Sequence, residues 1–212
     1  MARSVAVSTI MTRARRWANM ERDTDFVTDA ELIEYVDSAW TRLYKLYIAA
    51  WPERFQTEAT VTTAAGTATY ALPAAWFGTI GVDCLDGGRY SALRALDEHE
   101  RNDFQGSGSP EGFRVVGANL VIYPTPASVL TLRHIYVPTA TALTATTDTI
   151  DGVLGHERLI ELDVAIRLLT KEESDTSAVQ AEYNKMRQEV EEEAQMRLVR
   201  SCQRIAYIED WG

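Results

Sequence analysis

The residues of this 212-residue chain with chemical potential are three histidines, two cysteines and a surplus of carboxylates. His99 sits in the charged run LDEHERNDF, His134 alternates within an apolar stretch, and His156 stands beside Glu157. No H-x-x-x-H or C-x-x-C spacing brings two ligands onto one turn, so a zinc site has no basis in the sequence. Cys84 and Cys202 lie far apart and suggest no disulfide framework, which fits a reducing compartment. The serines stand in neither a G-x-S-x-G nor an S-x-x-K setting, leaving nucleophilic catalysis without an anchor. Gly87-Gly88 and the pair Gly106 and Gly108 lack the patterns that cradle phosphate. Carboxylates are plentiful, but Glu172, Glu173, Asp175, Glu189, Glu191, Glu192 and Glu193 read as solvated faces rather than a tuned catalytic pair. The expectation is a protein that is not an enzyme and takes neither metal nor cofactor.

Charge narrows the partners. The net charge is -10, with 31 acidic against 21 basic residues, and phosphate binding needs the opposite sign. One basic cluster, Arg13 with Arg15 and Arg16, could contact nucleic acid or could be the solvated side of a packing helix. The first residues are too polar for a signal peptide, and no run approaches the ~18 apolar residues of a membrane span. The expected setting is a cytoplasm, without a membrane.

The elements that must position these residues centre on residues 153–200. Leu159, Leu162, Ile166 and Leu169 recur at helical spacing; after KEESDTS the period resumes at Val179, Tyr183, Met186, Val190, Ala194 and Leu198. This predicts a hairpin of two long helices, the second opened by a capping box at Ser177 and Gln180. Upstream, residues 4–20 read as a short amphipathic helix. Thr28 and Glu31 make a second capping box, opening a helix that runs to about Ala50, before Pro52. On it Trp40, Tyr44, Tyr47 and Trp51 form an aromatic edge, fitted to core or to subunit packing.

Between the helices the texture becomes period-two. TEATVTT and AGTATYALP flank Gly66 and read as a hairpin, and residues 80–85 and 90–93 flank Gly87-Gly88 as another. Residues 113–116, 119–123 and 129–137 read as an antiparallel meander. The resulting expectation is one α+β domain: a mainly α-helical bundle carrying a central antiparallel β insertion. Its parts are N-terminal helices (1–56), β-rich insertion (57–150), helical hairpin (151–200) and tail (201–212).

Several segments then combine in order: the Thr28-Asp-Ala-Glu31 helix start with Leu43-Tyr44, AGTATYALP with Trp76-Phe77, and EHERNDF. FRVVGANLVIYPTPA, IYVP with the linker to Ile150-Asp151-Gly152, and KEESD follow. Over nearly the whole chain this succession resembles the head-to-tail adaptor (head-completion, neck) proteins of tailed bacteriophages. The resemblance implies a structural virion protein of the neck. Such proteins form a ring, usually a dodecamer, beneath the portal and extend the DNA channel toward a downstream tail or neck protein. DNA is passing cargo, and assembly takes place in the host cytoplasm. Two other readings remain: another neck or tail-completion protein, and a small DNA-binding or regulatory protein using the basic helix.

Three surfaces follow as expectations. The tail SCQRIAYIEDWG interleaves apolar and charged anchors: Ile205, Tyr207, Ile208 and Trp211 with Arg200 and Arg204. It either grips a partner, the portal under the adaptor resemblance, or folds back on its own helices. Trp40, Tyr44, Tyr47 and Trp51 are candidates for subunit packing. Glu172, Glu173, Glu189, Glu191, Glu192 and Glu193 either line a channel that should not adhere to DNA or face outward.

Overall fold

The computed structural model describes residues 3–21, 26–152 and 155–209, and for residues 3, 151, 152 and 194–209 the backbone alone. In chain order the first elements are β1 (Arg3–Ala6), α1 (Val7–Trp17), α2 (Asp29–Ala50), α3 (Pro52–Phe55), β2 (Thr57–Thr62) and β3 (Thr69–Ala71). Next come β4 (Trp76–Asp86), β5 (Arg89–Ala92), β6 (Arg94–Ala95) and a short 3-10 turn, Glu100–Asn102. Then follow β7 (Ser107–Gly108), β8 (Gly112–Val116), β9 (Asn119–Tyr123), β10 (Thr125–Pro126), β11 (Thr131–Pro138), β12 (Thr149–Gly152), α4 (Glu157–Lys171) and α5 (Ser177–Glu209). Two compact units result, Met1–Trp51 with Ala140–Gly212, and Pro52–Thr139.

The first unit is helical. Its core takes Val7, Ile10 and Ala14 from α1, Leu32, Val36, Leu43 and Tyr47 from α2, Leu162, Ala165 and Leu168 from α4, and Val190 from α5. The three-and-four spacing of each set puts it on one helix face. Thr28 caps α2 by accepting the Glu31 amide at 3.3 Å. Glu31 does not reach back to complete the box; it accepts from Tyr35 at 2.6 Å and pairs with Lys171 at 2.7 Å.

The expected helix over 4–20 begins late. Arg3–Ala6 instead pairs antiparallel with β12, and α1 starts at Val7. Ala6 offers no side-chain cap, so two free helix amides find other acceptors: Val7 donates to Asp148 O and Ser8 to Thr146 O.

The turn from α4 to α5 also differs from expectation. Ser177 is the first residue of α5 rather than its cap, so the Ser177–Gln180 box does not form. Both the amide and the hydroxyl of Ser177 donate to Asp175, and Gln180 reaches forward to Asn184. Helix α4 ends in a Schellman arrangement, with Ser174 N donating to Leu169 O and Glu173 N to Thr170 O. Glu173 takes the left-handed position, at φ 61°.

The second unit overturns the expected fold class. Among the described residues twelve strands accompany five helices, so the protein is strand-rich and not a mainly α-helical bundle. Eight strands form two four-stranded sheets, in the orders β2-β11-β4-β5 and β3-β9-β8-β6. Val82, Cys84 and Leu132 from the first sheet meet Phe113, Leu120 and Ile122 from the second, with Leu93 beside them, in one sandwich core. The threonine-rich stretch thus supplies β2 to one sheet and β3 to the other, in a body with its own hydrophobic centre.

The sequence predicts β2, β3, β4, β5, β8, β9 and β11 but not β1, β6, β7, β10 or β12, and it misses several strand partners. The β4–β5 hairpin forms around Gly87-Gly88, both at positive φ, with Asp86 opposite Arg89. The β8–β9 hairpin also forms. The expected third meander strand, β11, joins the other sheet between β2 and β4. The expected pairing around Gly66 is likewise absent: β2 pairs with β11, and β3 with β9. The connections 63–68 and 124–130 are long enough to cross from one sheet to the other, and burial decides that they do.

Candidate functional site

The aromatic edge of α2 lies inside the helical unit. Trp40, Tyr44 and Tyr47 are buried, and Trp51 is half-buried. Ring centroids lie 5.5 Å apart for Trp40 and Tyr44, and 5.7 Å for Tyr47 and Trp51. His156, just before α4, stacks on both Tyr47 (5.8 Å) and Trp51 (6.5 Å). Its Nε2 lies 3.1 Å from the Glu193 carboxylate on α5. This column ties the end of α2 to the start of α4 and to α5. Burial pushes the Tyr44 hydroxyl above its ordinary pKa.

The six carboxylates expected on a channel or outer face separate by partner. Glu172, Glu173, Glu189 and Glu192 are exposed. Glu192 accepts from Gln188 at 2.7 Å, and Glu172 from Ser174 at 2.9 Å. Glu191 pairs with Arg187 at 2.8 Å, and Glu193 is half-buried against His156. Of the tail candidates, Arg200, Arg204, Ile205, Tyr207 and Ile208 fall on the last turns of α5, where only the backbone is described. Trp211 lies outside the described residues.

The basic cluster is engaged within the chain. Arg13 meets Glu161 at 2.9 Å. Buried Arg15 donates to Val27 O at 2.8 Å and lies 3.6 Å from Asp29. Arg16 is 3.3 Å from Glu21. Glu157 and Glu161, to which the sequence reading assigned no role, are buried carboxylates on α4. His134 is buried in the sandwich, with Nε2 3.0 Å from Thr79 Oγ1 and its ring stacked on Tyr136. Among the described residues no group of three or more His, Cys, Asp or Glu could hold a metal ion, and no helix is long and apolar enough to cross a membrane.

The outer face of β2-β11-β4-β5 carries a group the sequence reading did not single out. Arg133 donates to Asp83 at 2.5 Å, lies 3.8 Å from Glu58, and sets its guanidinium 4.2 Å from the Tyr90 ring centroid. Asp83 faces Arg133 directly across the ladder, and Tyr90 lies one row away. The alternation of Arg133 with Leu132 and His134 was visible, but its partners depend on the strand order.

With both units described, the comparison with known families is decisive. The family model described as SU10 adaptor protein matches residues 5–204, which takes in both units. The chain belongs to this family of phage head-to-tail adaptors. No curated protein matches it. Family membership makes this adaptor a structural phage protein, a component of the virion that associates with other virion proteins. In this adaptor the arginines of α1 each face a carboxylate of the same unit, and Trp40, Tyr44 and Tyr47 are buried within it.

Proposed function

We propose that the adaptor assembles as a dodecameric ring beneath the phage portal, in the neck of the virion, and extends the DNA channel to the next tail or neck protein. The observation that carries this reading is the family match over 5–204, which leaves neither unit outside the adaptor pattern. Charge supports it: a chain of net charge -10 repels the phosphates that pass it, as a conduit should. The exposed carboxylates Glu172, Glu173, Glu189 and Glu192 are the lumen candidates; Glu191 and Glu193 are held by Arg187 and His156. The DNA-binding alternative is weakened, because Arg13, Arg15 and Arg16 each face a carboxylate of the same unit.

The C-terminal turns of α5, with Arg200, Arg204, Ile205, Tyr207, Ile208 and then Trp211, are the proposed grip on the portal. They have the aromatic, aliphatic and arginine composition of interface anchors. Electron micrographs of the purified chain mixed with portal rings of the same phage test the assembly. A second ring stacked beneath the portal is the expected image. Bare portals beside dispersed chains would refute the reading.

A further inference from the structure

Among the described residues, no strand pairs with either edge of the sheet β2-β11-β4-β5. On β5 all four residues are exposed; on β2 exposed residues alternate with half-buried ones. Thr63 donates its amide to Leu130 O at 2.8 Å, continuing the ladder to β11. Antiparallel ladders bond every second residue, so the amides of Glu58, Thr60 and Thr62 face away from β11. Leu93 donates to Val82 O at 2.8 Å, and by the same alternation the amides of Tyr90 and Ala92 face away from β4.

The side chains on the two edges also match. Thr60, Arg133, Asp83 and Ala92 form one row across the sheet, and Thr62, Thr131, Leu85 and Tyr90 form the next. The residues with outward amides on both edges therefore carry their side chains on the same face, as a new antiparallel ladder between them requires. Every neighbouring pair in the sheet is antiparallel, and with four strands β5 runs opposite to β2. A second copy set beside the first in the same orientation thus brings its β2 antiparallel to β5. Edge strands are ordinarily guarded by proline, lysine or bulges. Here β2 (TEATVT) and β5 (RYSA) carry one charge each, Glu58 and Arg89, of opposite sign.

We infer that β2 of one copy adds to β5 of the next, joining the sheets of neighbouring subunits head to tail. Such a contact uses two different patches, so its repetition gives a ring if it closes and a filament if it does not; that it closes rests on the ring reading above.

The test uses the full-length chain carrying Thr60→Cys and Ala92→Cys, treated with a short bismaleimide at high protein concentration. Within one chain these positions lie three strand spacings apart, about 14 Å, beyond the linker's reach. Cys84, which is buried, and Cys202 are common to all variants and set the background. A ladder of dimers, trimers and larger species, absent from either single variant, is the expected result; no ladder overturns the inference. In parallel, Thr60→Pro removes an outward amide without touching the β11 ladder. It should weaken self-association in sedimentation by about tenfold or more while the melting temperature barely moves. Unchanged association would also overturn the inference. Rings on the portal without a ladder leave the ring reading intact and remove the edge pairing. A ladder without rings does the reverse.

Discussion

His156 Nε2 lies 3.1 Å from the carboxylate of Glu193 while its ring stacks on Tyr47 and Trp51. One side chain thus links α2, α4 and α5, and its two contacts are unequal. The bond to Glu193 is half-exposed, and a hydrogen bond of that kind contributes about 1 kcal/mol. The stack is buried, and deleting the imidazole leaves a hole between aromatic rings worth about 2–4 kcal/mol. Urea unfolding should therefore show His156→Ala well below Glu193→Ala in stability. Equal losses would mean that the stack contributes nothing beyond the hydrogen bond.

Glu173 adopts φ 61° at the end of α4, where glycine is the usual occupant. A side chain there strains the backbone by about 1 kcal/mol. Glu173→Gly should raise the stability of the chain by about that amount, less the extra freedom glycine gives the unfolded state. A clear fall in the melting temperature would contradict this account of the turn.

Two glycines in the sandwich should respond oppositely to the same change. A Cβ on Gly112 would sit 2.6 Å from Leu96 Cγ, whereas one on Gly81 meets nothing within 4 Å. Gly112→Ala forces Leu96 out of place, at about 1–3 kcal/mol. Gly81→Ala should be neutral or stabilise by about 0.5 kcal/mol. Thermal melts of the two variants settle the comparison, and similar values would sink it.

His134 supplies a pH dependence. Burial holds its pKa below the ordinary 6.5, so the unfolded chain takes up the proton first as the solution is acidified. Its contribution to stability is complete above about pH 6.5 and declines below. Glu31 and Glu98 are held low by Lys171 and Arg114, and Asp148 and Asp175 by local hydrogen bonds; these carboxylates lose their contribution only at more acidic values. Melting temperatures measured from about pH 7.5 down to 5 should fall in the native protein and fall less in His134→Gln. That difference cancels Asp163, whose pKa burial raises and whose effect has the opposite sign. Parallel curves would show that His134 does not titrate on unfolding.

Truncation tests the proposed grip. A chain ending at Ser201 should melt at nearly the temperature of the full chain yet fail to co-sediment with portal rings. Undiminished portal binding rules out this role for Arg204, Ile205, Tyr207, Ile208 and Trp211. A sharp fall in melting temperature would instead place the C-terminal turns in the helical core.

The sequence made elements legible where the determining physics is local. Thr28 and Pro52 bracket α2, and Gly87-Gly88 fix the β4–β5 hairpin, because a cap, a breaker and a positive φ act within a few residues. Strand neighbours were not legible. Alternation in Thr131–Pro138 says that a strand has two faces, but not that it lies between β2 and β4 rather than beside β9. The same limit hid the Arg133–Asp83–Tyr90 group and the edges of its sheet. Arg13 looked like surface charge because its partner, Glu161, is 148 residues away. The aromatic edge was placed on the correct helix, but composition cannot separate a side chain buried at home from one awaiting a neighbour.

The unequal lengths of α4 and α5 give the helical hairpin a mechanical property. Helix α5 has 33 residues against 15 in α4, so about 27 Å of it outruns its partner. An arm of that length converts angle into displacement: a tilt of about 10° where the two helices meet moves the far end by about 5 Å. The column of Tyr47, Trp51, His156 and Glu193 lies near this fulcrum. Small repacking there would be magnified at the end of the arm, and force applied to that end would return to the column with the same leverage.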